Sequence, residues 1–526
     1  MKKIILFAFL AFLAVTSVNA QLRIKMGKNS PIEKLGRAEI AITNLYVDSV
    51  DENKLVEDAI RGMLEKLDPH SSYATAKETK AMNEPLNGSF DGIGVQFNMV
   101  DDTLLVIQPV VNGPSEKVGI IAGDRIVAVN DTAISGVKMS KEEIMKRLRG
   151  PKGTTVNLTI VRRGIKDKLT FKVKRDKIPV TTMDAAYMIR PGIGYIRLGS
   201  FGLTSYKEVT TAMDSLKKVG MKDLIFDLED NGGYLQAAAQ IANEFLQKGD
   251  LIVYTSGRAA PRQEYKAQAN GRWRKGKVVV LTNEFTASAA EIVSGAIQDQ
   301  DRGVVVGRRT FGKGLVQRPL TFDDGSEIRL TIAHYYTPSG RCIQKPYKKG
   351  DRLDYAMDLD NRYKHGEFTN QDSIHLSDSL KYYTLRKHRV VYGGGGIMPD
   401  YFVPLDTTKY TKMHRQLAAK SIVINHSLKF IDAHRKELKS QYKDFNKFLA
   451  SYEVPSSLIE GIIAEGKKEK IEPKDEAELT QTKKYLALQL KALVARDIWD
   501  MSQYFQVWNE TNEIVQRAVK LLTTGK

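Results

Sequence analysis

Residues 224–246 read LIFDLEDNGGYLQAAAQIANEFL. Leu224 to Leu228 is a short apolar run, Asn231-Gly-Gly233 is a turn, and Leu235 to Leu246 has the length and apolar content of a helix. The same order recurs on both sides. Upstream, Gly192 to Leu198 reads as a strand and Ser205 to Val219 as a helix with Tyr206, Val209, Met213 and Leu216 on one face. Downstream, Val278 to Leu281 reads as a strand and Ala287 to Ile297 as a helix. Strands alternating with helices over residues 180–345 predict an α/β core around a buried sheet.

The flanks differ in character. Residues 346–388 are polar and rich in Asp, Tyr and Lys, and read as an insertion; Val390 to Pro404 returns to an apolar run broken by Gly393 to Gly396. Residues 406–526 are helical in pattern, densest in apolar residues from Leu486 to Val494. Residues 32–67 are also helical, with Leu35, Ala38, Ile42, Leu45 and Tyr46 near helical spacing, until Asp68-Pro69 ends the run. His70 beside Asp68 is read as a turn residue rather than a ligand.

Residues 84–178 read as a β-rich module. Asp91-Gly-Ile-Gly-Val95 is a glycine loop entering a strand, Thr103 to Val111 is a second apolar run, and Gly123-Asp124-Arg125-Ile126 leads into a third. Ser140 to Leu148 is a helix with Ser140 as N-cap and Glu143 three residues on; Val156 to Arg162 and Lys168 to Val173 alternate as strands. This order, with Arg149-Gly-Pro-Lys-Gly-Thr154, resembles a PDZ domain. The resemblance implies a carboxylate-binding loop at Gly92, Ile93, Gly94 and Val95. Successive backbone N–H groups there would cradle a terminal carboxylate while the adjacent strand edge pairs with the peptide. An ordinary hairpin turn is the competing reading.

Length and composition set bounds. At 526 residues the chain has room for about three or four domains. Hydrophobic residues at 42% and charged residues at 27% exclude wholesale disorder. A single cysteine, Cys342, excludes an internal disulfide and a cysteine-based zinc or iron–sulfur site. The net charge of +18 raises nucleic acid as a partner. The amino terminus argues against it: Lys2 and Lys3, an apolar stretch from Ile4 to Val15, and small residues at Val18 and Ala20 predict a signal peptide over residues 1–20. Its removal takes two positive charges, and the remainder is spread rather than clustered. An exported, periplasmic or extracytoplasmic protein without an integral anchor is expected, with an uncleaved anchor as the alternative.

Three segments carry candidate chemistry: Asp227-Leu-Glu-Asp-Asn-Gly-Gly233, Asn283 to Glu291, and Gly307 to Gln317. The last matches a phosphate-binding loop at Gly307, Gly312 and Lys313, but Gly314 stands where Ser or Thr must hold magnesium. A nucleophile fits better. Ser288 lies between Ala287 and Ala289 at a helix start, where free N–H groups favour developing negative charge. It needs a base. The eight histidines form no recognisable triad, and Gly-x-Ser-x-Gly is absent around Ser288. Lys313, between two glycines, serves if desolvation leaves it neutral, and Gln317 is spaced to aim it. Taken singly, a helix cap or close-packing position, a turn lysine and a strand-edge glutamine are the favoured readings of these residues.

Thr286-Ala-Ser-Ala-Ala-Glu291 followed by Thr310-Phe-Gly-Lys-Gly-Leu-Val-Gln317 resembles the carboxyl-terminal processing (tail-specific) serine peptidases, as do Leu67-Asp-Pro-His-Ser71 and Gly396-Ile-Met-Pro-Asp400. Lys313 follows Ser288 by 25 residues, a separation that also agrees with the resemblance. The resemblance implies Ser288 as nucleophile, Lys313 as general base and Gln317 as the residue that positions it. It places the oxyanion hole at the N–H groups of Gly233 and Ala289, with Gly232 nearby, and implies a crotonase/Clp-protease-like sheet. No cofactor and no metal is expected. Two features depart from the family: Glu229 stands where it carries Arg, and residues 346–388 and 406–526 exceed its minimal pattern.

The expected organisation is therefore a signal peptide (1–20), a helical segment (21–83), a PDZ domain (84–178), a peptidase core (179–345 and 389–405) with an insertion (346–388), and a helical region (406–526). The expected function is an exported endopeptidase acting on proteins with exposed C-terminal tails. The expectation for nucleic acid is that it is not a partner. Arg149, at the end of the module's helix, is a candidate regulatory residue, with a plain dipole-complementing charge as the alternative. The helices near 32–67 and 406–526 are candidate surfaces for a homo-oligomer. A catalytically inactive tail-binding scaffold is the competing function.

Overall fold

The computed structural model describes residues 30–525. The expected signal peptide lies outside the described residues. The described residues up to Leu64 and those from Glu65 onward form two units. The first holds the helices Pro31–Leu45 and Glu52–Glu65, separated by an irregular stretch over 46–51. Ser30 caps the first by accepting from the Glu33 N–H, and Pro31 supplies a preset φ at its start. The apolar spacing read from the sequence is real, but Leu35, Ile42 and Tyr46 are exposed rather than packed.

The second unit is built around a six-stranded sheet. Its order is Met183–Arg190, Ile193–Leu198, Asp223–Asp227, Val278–Thr282, Val304–Gly307 and Tyr401–Phe402. The first pair is antiparallel and the rest are parallel. The α/β core expected from residues 224–246 is thus present, and central strands such as Val278–Thr282 are fully buried because both faces are covered.

Side chains alternate between those faces. Phe226, Val278 and Val280 point to one side, where the helices Leu235–Asn243 and Ala289–Asp299 pack through Ala238, Ile241, Ile292, Val293 and Ala296. Ile225, Val279 and Leu281 point to the other. That face is covered by the helix Glu513–Thr524, through Ile514, Val515, Ala518 and Leu521. Sequence analysis grouped this helix with the preceding helical region. The other helices of that region pack mainly on one another, in clusters around Leu417, Leu486 and Leu490 and around Phe448, Tyr452 and Ile498.

A second sheet pairs Leu315–Thr321 and Ser72–Ala74 with Glu327–Tyr336, and continues to Leu251–Ser256 and Gln263–Lys266. The strand Ser72–Ala74 falls inside the segment expected to be helical. It sets the preceding residues, 67–71, against the edge of this sheet.

The β-rich module has the strand order Val95–Val100, Thr103–Pro109, Arg125–Val129, Thr155–Val161, Leu169–Lys174. Its helix Lys141–Leu148 is capped by Ser140 accepting from the Glu143 N–H, as expected. Val95–Val100 is an edge strand with one neighbour. A salt bridge from Arg125 to Asp432 (2.7 Å) and Leu105 and Ile107 packing on Leu428 join the module to the helix Ile422–Gln441.

Val515→Asp puts a carboxylate against the sheet at a fully buried position, whereas Lys520→Asp on the same helix stays exposed. The first is expected to cost roughly 4 kcal/mol or more and the second under about 0.5 kcal/mol. Thermal unfolding of the two variants checks this; equal midpoints would show that the helix is not part of the sheet's core.

Candidate active site

Three strand ends of the six-stranded sheet deliver the candidate residues to one edge. The strand Asp223–Asp227 leads into the turn carrying Gly232 and Gly233, Val278–Thr282 into Ser288, and Val304–Gly307 into Lys313. Parallel strands place such turns side by side at their carboxyl ends. Direct bonds tie them: the Ala287 N–H donates to the Asn231 carbonyl (2.8 Å), and the Phe311 N–H to the Thr286 carbonyl (2.9 Å).

Ser288 is the N-cap of the helix Ala289–Asp299, at φ 54° and ψ −114°. This conformation is costly for a non-glycine residue, on the order of 1–3 kcal/mol, and persists only where the surroundings impose it. Here they do. The Ser288 N–H donates to Glu291 Oε2 (2.8 Å), and the Ser288 carbonyl accepts from the Tyr335 hydroxyl (3.1 Å).

Glu291 does more than hold the serine. Its Oε2 also accepts from the Lys313 N–H (2.9 Å), and its Oε1 accepts from the Gly312 N–H (2.8 Å) and the Thr310 hydroxyl (2.5 Å). The residue is fully buried. Burial raises its pKa, while the hydrogen bonds from Thr310, Lys313, Gly312 and Ser288 oppose the rise. One carboxylate thus joins the backbone of the candidate nucleophile to the backbone of the candidate base. Sequence reasoning quoted Glu291 within a motif and gave it no role.

The Lys313 ammonium is held below the usual lysine range by burial and by Arg329, against the pull of Glu291 and Asp68. Gln317 lies on the strand Leu315–Thr321 opposite Thr331, and its Nε2 donates to the Thr331 hydroxyl (3.1 Å). Gly312, at φ 87°, has its missing Cβ 3.0 Å from the Gly396 backbone nitrogen, so the lysine loop has no room for a side chain there. The insertion braces the same loop: Arg362 donates to the carbonyls of Thr310 (3.1 Å) and Arg309 (2.9 Å).

Gly233 sits at φ 141°, and a Cβ there would lie 2.3 Å from the Phe201 carbonyl oxygen. The turn is pinned by the Phe201 N–H donating to the Gly232 carbonyl and the Tyr234 N–H to the Phe201 carbonyl, both 2.8 Å. Ala289 is the first residue of its helix, so its N–H has no intrahelical partner. The family's Arg is absent from this turn, but a guanidinium is not. Arg197, on the adjacent strand in register with Asp227, bonds Asp227 (2.9 Å) and Asp230 (3.1 Å) and lies 3.7 Å from Glu229. Burial, then the charge of Asp227, raises the Glu229 pKa.

His70 and Asp68 lie here as well; sequence reasoning quoted them within a motif, read His70 as a turn residue and gave neither a role at the site. His70 Nε2 lies 2.8 Å from the Tyr355 hydroxyl of the insertion, and burial and the Lys313 charge lower its pKa to about 4. Gly92 to Val95 stand apart from this cluster, in the β-rich module, with Gly94 at φ 73°. Arg149 is the C-cap of the module's helix; its guanidinium is paired with Glu84 and lies 4.6 Å from the Phe90 ring centroid. That pairing ties it to the chain entering the module. Among the described residues no His/Cys/Asp/Glu group has the arrangement of a metal site, and no helix is long and apolar enough to cross a membrane.

Comparison with known proteins covers most of the chain. Residues 192–352 match peptidase family S41, residues 92–178 a PDZ domain, residues 11–79 the activating protease CtpB N-terminal domain, and residues 413–500 a family of unknown function. Carboxy-terminal processing protease CtpA of Bacillus subtilis (strain 168) is 38% identical over 349 residues, 64% of this chain and 74% of the relative. Carboxy-terminal processing protease CtpB of the same organism is 32% identical over 358 residues, 67% and 72% respectively. Among solved structures, a photosystem II D1 C-terminal processing protease aligns at 30% identity over 59% of this chain and 89% of that one, with a TM-score of 0.33.

Glu291→Gln keeps the shape but turns one acceptor oxygen into a donor facing donors. It is expected to cost about 2–4 kcal/mol and to loosen Ser288. Thermal unfolding reads the first, and labelling of Ser288 by a fluorophosphonate probe reads the second; unchanged values in both would show that the four bonds are dispensable.

Proposed function

Because the chain belongs to the carboxy-terminal processing proteases of peptidase family S41, as a serine-type peptidase with a PDZ domain, we propose that Ser288 and Lys313 form its catalytic dyad. The observation that carries this reading is the Glu291 carboxylate, which accepts from the backbone N–H of both residues. It supports a fixed spacing between nucleophile and base.

In this mechanism the neutral Lys313 amine takes the Ser288 hydroxyl proton as Oγ attacks the scissile carbonyl carbon. The resulting oxyanion is held by the N–H groups of Gly233 and Ala289, with Gly232 keeping the turn open beside them. Lys313 returns the proton to the leaving amine, leaving an acyl-enzyme on Ser288. A water then attacks the acyl carbon as Lys313 takes its proton; the intermediate collapses, the bond from the acyl carbon to Ser288 Oγ breaks, Lys313 returns the proton to Oγ, and the acid product leaves. Gln317 aims the amine throughout.

Substrates would be proteins with exposed C-terminal tails. The tail's carboxylate would be captured by the N–H groups of Gly92 to Val95, and the tail would add a strand to the free edge of Val95–Val100. The single neighbour of that edge strand supports this. Arg149 would report occupancy of the module to the chain leading into it, a reading supported by its ion pair with Glu84. The leader read in residues 1–20 supports export to an extracytoplasmic compartment.

Ser288→Ala should remove cleavage of a casein substrate without changing the thermal unfolding midpoint; a variant that still cleaves would exclude Ser288 as nucleophile. The rate should also rise with pH. Lys313 must be neutral to act, and since burial depresses its pKa, kcat/KM should climb through a midpoint below the usual lysine range and then level off. A flat profile from acid to alkaline pH would exclude a lysine base.

A further inference from the structure

The turn Leu67-Asp-Pro-His-Ser71 approaches the strand that faces Gln317, and its carboxylate is bonded to that strand. Asp68 Oδ1 accepts from the Thr331 hydroxyl (2.9 Å), and Thr331 Oγ1 accepts in turn from Gln317 Nε2 (3.1 Å). We propose that Asp68 is a positioning residue for the Lys313 base, acting through Thr331 and Gln317. The proposal rests on the Ser288–Lys313 reading above.

The argument is one of hydrogen-bond direction. An ionised carboxylate only accepts, so the single proton of the Thr331 hydroxyl is committed to Asp68. What remains on Thr331 Oγ1 is lone pairs, which accept only from the amine end of the Gln317 amide. The amide is thereby oriented: its NH2 turns to Thr331, and its carbonyl Oε1 is left to accept from the lysine amine. A glutamine without this constraint can turn over and present two N–H groups to Lys313, where they repel the ammonium and do not aim the amine.

Asp68 is itself built to stay ionised. Burial would raise its pKa, but hydrogen bonds from the Ser71 hydroxyl (2.5 Å), the His70 N–H (2.9 Å), Thr331 and the Ser71 N–H (3.0 Å) bring it below the usual carboxylate range. The turn is fastened to the same strand by the Thr331 N–H donating to Ser71 Oγ (3.0 Å). The insertion fastens it from the other side: Arg352 donates to the Ser71 carbonyl, and the Tyr355 hydroxyl meets His70 Nε2. This gives the turn and part of the insertion a common role, holding the polarity of one amide.

The test uses the full chain and an internally quenched peptide with a free C-terminal carboxylate. Thr331→Val keeps the shape and removes the hydroxyl; kcat should fall roughly ten- to a hundredfold with KM little changed. Thr331→Ser, which restores the hydroxyl, should recover most of that loss. Asp68→Asn removes a negative charge from a lysine that also faces Arg329, Glu291 and His70, so the rising limb of the pH profile should move to lower pH as kcat falls. Unfolding midpoints identify which variants fold. A folded Thr331→Val enzyme with unchanged kcat, or a serine variant as poor as the valine one, would overturn the relay. If Thr331→Val does not fold, an unshifted pH limb in Asp68→Asn overturns it. Cleavage by Ser288→Ala would instead overturn the underlying dyad.

Discussion

The carboxylate of Glu291 is the constraint on which the candidate site depends. An isolated buried charge is expensive, and the protein offsets that cost with four donors, three from backbone amides and one from a hydroxyl. Because two of the amides belong to Ser288 and Lys313, the compensation for burying the charge is also what brings the two loops together. A hydrophobic contact could hold the loops near one another but would leave them free to slide. Four directional bonds to one planar group set both distance and orientation.

What was legible in the sequence was local. Ser288 between alanines, Lys313 between glycines, the Gly232-Gly233 turn and the capped helix after Ser140 each lie within a few residues of the pattern that reveals them. The alternation of strand and helix was equally plain, since a sheet covered on both faces needs apolar runs such as Val278 to Leu281. What escaped was nonlocal. Asp68 and Thr331 are 263 positions apart and meet only because Ser72–Ala74 pairs with Glu327–Tyr336. The sequence gives neither residue a role: Asp68 falls in a motif shared with the family but before proline reads as a turn, and Thr331 reads as one more strand residue.

The displaced arginine shows the same limit. The turn at Glu229 looked like a loss of positive charge, because sequence comparison aligns positions along one chain segment. The sheet supplies the guanidinium from the neighbouring strand, at Arg197, where parallel register sets it beside Asp227. The turn's carboxylates are thus paired by a guanidinium that the local sequence does not reveal.

The helix Glu513–Thr524 has a consequence for the order in which this protein matures. It closes the face of the sheet formed by Ile225, Val279 and Leu281, yet it is synthesised long after Ser288, Lys313 and Gln317. Until it arrives, the strands that lead into the candidate turns lack the cover of this helix on one apolar face. A growing chain therefore carries the candidate residues before the sheet beneath them is covered on both faces. The second face of the sheet is covered only once residues 513–524 have been made, after the candidate residues themselves.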